Sequence, residues 1–173
     1  IRAGEGRWAE ARRHFEEAIR IQPGWASPRS NLAGIFVATG RPLEALARYR
    51  EALDINPDEP TIHYNFARTL QQTGQLEGAA AEYRRALSLD RANPLVHNNL
   101  GTLLADRGDY REALTHFREA SRLDPAFASA VLNAGLALER LGDCGGAVAA
   151  YRRVLALQPE NGPASRGLAR CAP

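Results

Sequence analysis

The sequence predicts an all-α fold, a solenoid of antiparallel helix pairs. Three observations carry that prediction: self-similarity at a spacing of 34 residues, apolar residues at helical spacing inside each copy, and glycine and proline at fixed places between them. The stretch Pro94 to Phe127 shows the unit. Val96, Leu100, Leu103 and Leu104 share one face of a first helix, whose other face carries Asn98, Asn99, Thr102 and Asp106. Tyr110, Ala113, Leu114, Phe117 and Ala120 form the apolar stripe of a second helix, which Asp109 can cap, with Glu112 three residues later completing a capping box. Gly108 breaks the chain between the two helices, and Pro125 ends the unit.

In that register one series is small: Ala33, Ala67, Gly101, Gly135 and Ala169 on first helices, and Ala11, Ala45, Ala79, Ala113 and Ala147 on second ones. Helix backbones can approach closely at those points. Large residues fill the space between: Leu32, Phe66, Leu100 and Leu168, then Phe36, Leu70, Leu104 and Leu138, then Phe15, Tyr49, Tyr83, Phe117 and Tyr151. The turn series is Gly6, Gly40, Gly74, Gly108 and Gly142, and the closing series is Pro23, Pro57, Pro125 and Pro159. By these positions the chain resembles the tetratricopeptide repeat family over nearly its whole length. The resemblance implies a right-handed superhelical array whose first helices line a concave groove. Departures are few: Arg91 stands for the closing proline, Ala134 for a large core residue and Val154 for the last small alanine.

Taken in order, Ile1 to Gly6 reads as the tail of a cut first helix. Trp8 to Ile21 reads as a second helix with Trp8, Ala11, Phe15 and Ala18 inward, so residues 1–25 form a partial repeat. Full repeats are expected at 26–59, 60–93, 94–127 and 128–161, and residues 162–173 as a capping helix with Leu168 inward and Ser165, Arg166 and Arg170 outward. Pro28, Pro60, Pro94 and Pro163 lie near first turns, where a missing N–H costs nothing. Ten helices in a single array follow.

Composition narrows the function. All 22 basic residues are arginine and methionine is absent, which fits either a surface tuned to carboxylates and phosphates or the coding bias of a GC-rich, bacterial genome. A net charge of +2 gives no strong field for nucleic acid, so none is expected as a partner. No run of apolar residues is long enough for membrane insertion. The chain begins at Ile1 with no signal segment, and a cytoplasmic location is the expectation. Cys144 and Cys171 fall at core-facing positions and are expected as buried thiols.

Catalysis finds no support. His63 and His97 occupy one repeat position, expected as a packing site, while His14 and His116 are expected to face out; none has metal-ligand spacing, so no cofactor or metal is expected. Neither a Gly-rich phosphate loop nor a Gly-x-Ser-x-Gly elbow occurs. What remains is a ladder of amides, Asn31, Asn65, Asn99 and Asn133, one per full repeat and off the core stripe. An amide offers a donor and an acceptor, which matches the peptide unit of an extended ligand. Tyr64, Arg68, Asn98, Thr102, Leu132 and Leu136 join it on the same helical face, where Tyr64, Leu132 and Leu136 suit apolar ligand side chains and Arg68 an acidic one. The competing reading is that the asparagines bond only neighbours and water. A second stripe, Arg50, Arg84, Arg118 and Arg152, is either an acidic-partner surface or a solvated outer face.

Within the family, some members clamp acidic peptide tails with lysine. Here Ser30, Tyr64, Asn98 and Leu132 stand at those positions, which argues against such a clamp. The amide ladder is instead similar to the repeats that guide substrates in O-linked N-acetylglucosamine transferases. The expectation is a protein-interaction module, not itself an enzyme, binding a peptide or partner segment in its groove. The alternative is the substrate-guiding arm of a larger enzyme such as a glycosyltransferase. Weak end-to-end self-association through the N-terminal helix is also expected, because Trp8 and Phe15 lack part of their cover.

Overall fold

What ends each first helix is a glycine in a conformation other residues avoid. Gly40, Gly74, Gly108 and Gly142 have φ of 75°, 79°, 89° and 80°, where a Cβ would be strained. After each, the N–H of Arg41, Gln75, Asp109 or Asp143 turns back to the carbonyl of Phe36, Leu70, Leu104 or Leu138 at 2.8–2.9 Å. That closure satisfies carbonyls the helix leaves open and reverses the chain.

The structure is a computed structural model that describes residues 3–171, with side chains from residue 6 onward. Among the described residues there are ten helices and no strand: α1 (Ala3–Ile21), α2 (Ala26–Ala38), α3 (Pro42–Ile55), α4 (Pro60–Gln72), α5 (Leu76–Leu89), α6 (Pro94–Asp106), α7 (Tyr110–Leu123), α8 (Ala128–Arg140), α9 (Cys144–Leu157) and α10 (Gly162–Cys171). The expectations placed on Ile1 and Ala172 lie outside the described residues. The chain divides into two compact units, Ile1–Asp90 and Arg91–Pro173.

In the first unit α2 pairs with α3 and α4 with α5, while α1 packs on α2 and α3 on α4. Ala33, Ala45, Ala67 and Ala79 are fully buried where these backbones approach, with Leu32, Phe36, Tyr49, Phe66, Leu70 and Tyr83 around them. Asparagine and acidic caps start several helices. Asn93 Oδ1 accepts from the Val96 N–H at 3.2 Å and Asp143 Oδ1 from the Gly146 N–H at 2.8 Å.

Gly6 makes no turn. It lies inside α1, which runs unbroken from Ala3; no helix precedes α1 among the described residues, so nothing there demands a reversal. Packed on α2, α1 leaves Trp8 exposed at 43% and Ala11, Phe15 and Ala18 only half-buried. Asp109, expected to cap α7, makes no side-chain cap, and its carboxylate lies 3.6 Å from Arg107 instead.

In the second unit α6 pairs with α7 and α8 with α9, α7 packs on α8, and α10 packs on both α9 and α8. Here α10 is turned about its axis relative to expectation. Ala164 and Gly167 are its buried residues, Leu168 is half-buried and Ala169 is exposed. The reason is Tyr151: a Cβ on Gly167 would lie 2.4 Å from its ring, so only glycine lets α10 seat there. Nor are the cysteines buried. Cys144 is exposed and Cys171 half-buried, because both lie at helix ends.

Arg170 ties α10 down. Its Nε and Nη2 donate to Glu139 Oε1 and Oε2 at 2.6 and 2.9 Å, and the Tyr151 hydroxyl donates to Glu139 Oε2 at 2.6 Å. Arg170, and then Tyr151, hold the Glu139 carboxyl down at about 2. A carboxylate with a depressed folded value stabilises above its unfolded value of about 4.3 and loses that contribution as pH falls through the folded one. The docking of α10 is therefore expected to weaken between about pH 4.3 and 2. The protection of α10 amides relative to their intrinsic exchange rates should fall over that window in the native chain, and that loss should be absent in Glu139→Gln.

Candidate functional site: the amide-bearing face of the first helices

The amides of the two units are in different states. In the first unit α2 and α4 border a cleft of about 720 Å³ lined by Ser30, Asn31, Gly34, Val37, Tyr49, Thr61, Asn65, Arg68, Thr69 and Gln72. No acidic residue is in that lining. The Asn31 and Asn65 side-chain amides make no hydrogen bond among the described residues, and Arg68 makes no ion pair there. Its guanidinium lies 5.6 Å from the centre of the Tyr64 ring, a cation–π contact. Tyr64 in turn stands 6.2 Å from Tyr83, centroid to centroid.

The floor of the cleft is polar and internally satisfied. Thr69 Oγ1 donates to the Asn65 carbonyl at 2.9 Å. Burial pushes the Tyr49 hydroxyl up, against the lowering effects of its hydrogen bond with Thr69 and of the Arg68 charge. Tyr49 and Thr69 were not legible as part of a site. Tyr49 reads as core, and the signal that could have found it is its hydroxyl, which needs a partner once the ring is buried.

In the second unit the amides bond to one another. Asn133 Nδ2 donates to Asn98 Oδ1 at 3.0 Å, and Asn98 Nδ2 to Asn99 Oδ1 at 3.5 Å. Thr102 spends its hydroxyl proton on the Asn98 carbonyl at 2.9 Å. A cavity of about 400 Å³ beside them is lined by Thr102, Ala105, Asp106, Tyr110, Phe117, Asn133, Leu136, Ala137 and Arg140. Leu136 is 39% exposed on it, while Leu132 is half-buried and outside the lining. Both signs of charge are already present here, and Arg140 donates to the Tyr110 hydroxyl at 3.2 Å. The second unit thus has less unspent hydrogen-bonding capacity than the first.

The histidines form pairs at equivalent repeat positions. His63 Nδ1 lies 2.6 Å from Glu82 Oε2 and its Nε2 2.8 Å from the Pro57 carbonyl. One repeat on, His97 Nδ1 lies 3.0 Å from His116 Nδ1, and His97 Nε2 3.2 Å from the Arg91 carbonyl. His116 therefore does not face out as the sequence suggested; it is half-buried against α6. These contacts join each first helix to its partner and to the loop before it. Among the described residues no group of three or more His, Cys, Asp or Glu could hold a metal ion, and no helix is long and apolar enough to cross a membrane.

Family profiles for the tetratricopeptide repeat match residues 1–58, 36–103, 98–162 and 132–172. The chain belongs to the tetratricopeptide repeat family. No curated protein matches it in sequence. Among solved structures it is similar to MamA, with a TM-score of 0.84 at 18% identity over 91% of this chain and 92% of that one. It is similar also to YrrB, described as a tetratricopeptide repeat protein with an unusual peptide-binding site, with a TM-score of 0.81 at 21% identity over 95% and 84% of the two chains. A third is pilF of Pseudomonas aeruginosa, with a TM-score of 0.73 at 25% identity over 95% and 68%. These likenesses are likenesses of fold.

Proposed function

We propose that this tetratricopeptide repeat chain is a non-catalytic interaction module that binds an extended segment of a partner protein in a concave groove lined by its first helices. The cleft of the first unit is the principal site. The observation that carries this reading is the unspent hydrogen-bonding capacity there: two side-chain amides and a guanidinium open together on a cleft with no acid in its lining. The peptide-binding site described for YrrB, a protein of the same fold, supports it. The amides would meet ligand peptide units, and Arg68 an acidic ligand side chain. On this reading residues 26–59, 60–93, 94–127 and 128–161 are the repeats, residues 1–25 a partial repeat and 162–173 the cap. No observation among the described residues favours the substrate-guiding alternative.

Replacing Asn31 and Asn65 together with alanine is expected to weaken binding of a peptide selected from an array of extended sequences. The loss should be about 1–3 kcal/mol, since each hydrogen bond contributes about 0.5–1.5 kcal/mol net. Titration calorimetry reads the change, and circular dichroism should show unchanged helicity. An unaltered dissociation constant would remove the amides from the site.

We also propose weak self-association through α1, with a second copy of this chain as the occupant of its apolar face. On α1 Trp8 is 43% exposed and Phe15 only half-buried. Covering about 200 Å² of such surface gains about 5 kcal/mol at 25 cal/mol per Å², which association costs largely offset. Sedimentation should show a concentration-dependent shift that Trp8→Ser reduces, and a strict monomer at high concentration would contradict it.

A further inference from the structure

Cys144 is the first residue of α9, and Cys171 is the last of α10. The loop between these helices is short, so α10 runs back along α9 toward its start. A second contact fixes that arrangement independently. The Arg170 guanidinium holds Glu139 through two hydrogen bonds, and Glu139 is joined to Cys144 by the tight turn at Gly142. The residue before Cys171 is therefore anchored beside the turn that leads into Cys144. Both thiols are free; Cys144 is exposed and Cys171 half-buried. The Cys171 thiol is pushed up to about 11, first by the Cys144 thiol beside it and then by burial.

We propose that Cys144 and Cys171 form a thiol–disulfide exchange site that reacts with small-molecule disulfides such as oxidised glutathione and closes into a bond fastening α10 to α9. Cys144, the accessible thiol, gives its proton to solvent and attacks one sulfur of the reagent. The reagent S–S bond breaks, a mixed disulfide forms on Cys144 and one glutathione thiolate leaves. Cys171 then gives up its proton and attacks Cys144 Sγ, expelling the second glutathione thiolate. Two protein thiols are oxidised by two electrons, and one glutathione disulfide is reduced to two thiols. Only a thiolate attacks, so the resolving step accelerates as pH rises toward the raised value of Cys171.

The consequence falls on α10, which the second unit holds by the Gly167 contact with Tyr151 and the Arg170–Glu139 pair. A terminal helix opens more readily than the interior of an array. In the oxidised state its end can no longer leave α9, and its amide exchange is expected to slow about tenfold, a selective change in local opening.

The test treats the full chain with excess oxidised glutathione at pH 7 and pH 9 and follows intact mass without reductant. The expected product is a monomer lighter by two hydrogen masses, formed faster at pH 9. Cys171→Ser should stop at one glutathione on Cys144, and Cys144→Ser should prevent the internal bond. Two stable glutathione adducts on the native chain, a disulfide between two chains, or unaltered α10 exchange after oxidation would each overturn the proposal.

Discussion

Tyr151→Ala is expected to destabilise the second unit by about 3–5 kcal/mol, the range for truncating a large buried aromatic. The side chain is fully buried. A Cβ on Gly135 would lie 2.8 Å from the ring, and one on Gly167 2.4 Å from its other side, so α8 and α10 both seat on it through glycine. Truncation leaves a cavity that rigid helices fill poorly, and it removes the hydroxyl that Glu139 accepts from. Tyr151→Phe should cost less, about 1.5–3 kcal/mol, the value of a hydrogen bond to a charged group, since the ring remains and Glu139 keeps its two bonds to Arg170. Urea denaturation followed by residue-resolved exchange in α8 to α10 would measure both. Equal effects of the two substitutions would show that the hydroxyl, not the ring, organises this end.

Arg68→Glu is expected to weaken binding of an acidic peptide by at least about 1.5–3 kcal/mol, the value of a hydrogen bond to a charged group. Arg68 is exposed and makes no ion pair among the described residues, so no internal carboxylate is stranded when its charge is reversed. Folding should be little affected, and the loss should appear in affinity alone. A charge-reversed peptide should recover part of it. Calorimetry with the acidic and basic forms of one peptide against native and variant chains separates charge recognition from simple loss of contact.

The fold was legible because it depends on periodic features that recur. A turn needing positive φ demands glycine, and Gly40, Gly74, Gly108 and Gly142 all meet that demand. Close approach demands a small residue, and Ala33, Ala67, Gly101 and Gly135 are all buried. Legibility fails at α1 and α10, the first and last of the described helices. No described helix follows α10, and its orientation follows the contact with Tyr151, where Gly167 replaces Ala169 at the point of approach, together with the Arg170–Glu139 pair. At α1, Gly6 sits in the helix because a glycine turn forms only where two packed helices require it.

The candidate site was legible in part. Periodicity put Asn31, Asn65, Asn99 and Asn133 on one helical face, but it treats every rung alike. The difference between the units depends on residues outside the series. Asn98 is the acceptor that occupies Asn133, while no such acceptor engages Asn31 or Asn65 among the described residues. The pairing of His97 with His116 is likewise a contact between two helices that a single-helix reading, which sent His116 outward, does not contain.

The central claim is that ligand binds through the unspent side-chain groups of the first unit. The most direct measurement is the nuclear magnetic resonance of the side-chain amides of Asn31 and Asn65 and of the Arg68 guanidinium Nε–H as an array-selected acidic peptide is added. The account predicts that these signals shift together and saturate at one dissociation constant, while the Asn98 and Asn133 amides, already bonded to each other, move less. Saturable shifts confined to the second helices α3 and α5, with the Asn31, Asn65 and Arg68 signals unmoved, would contradict it.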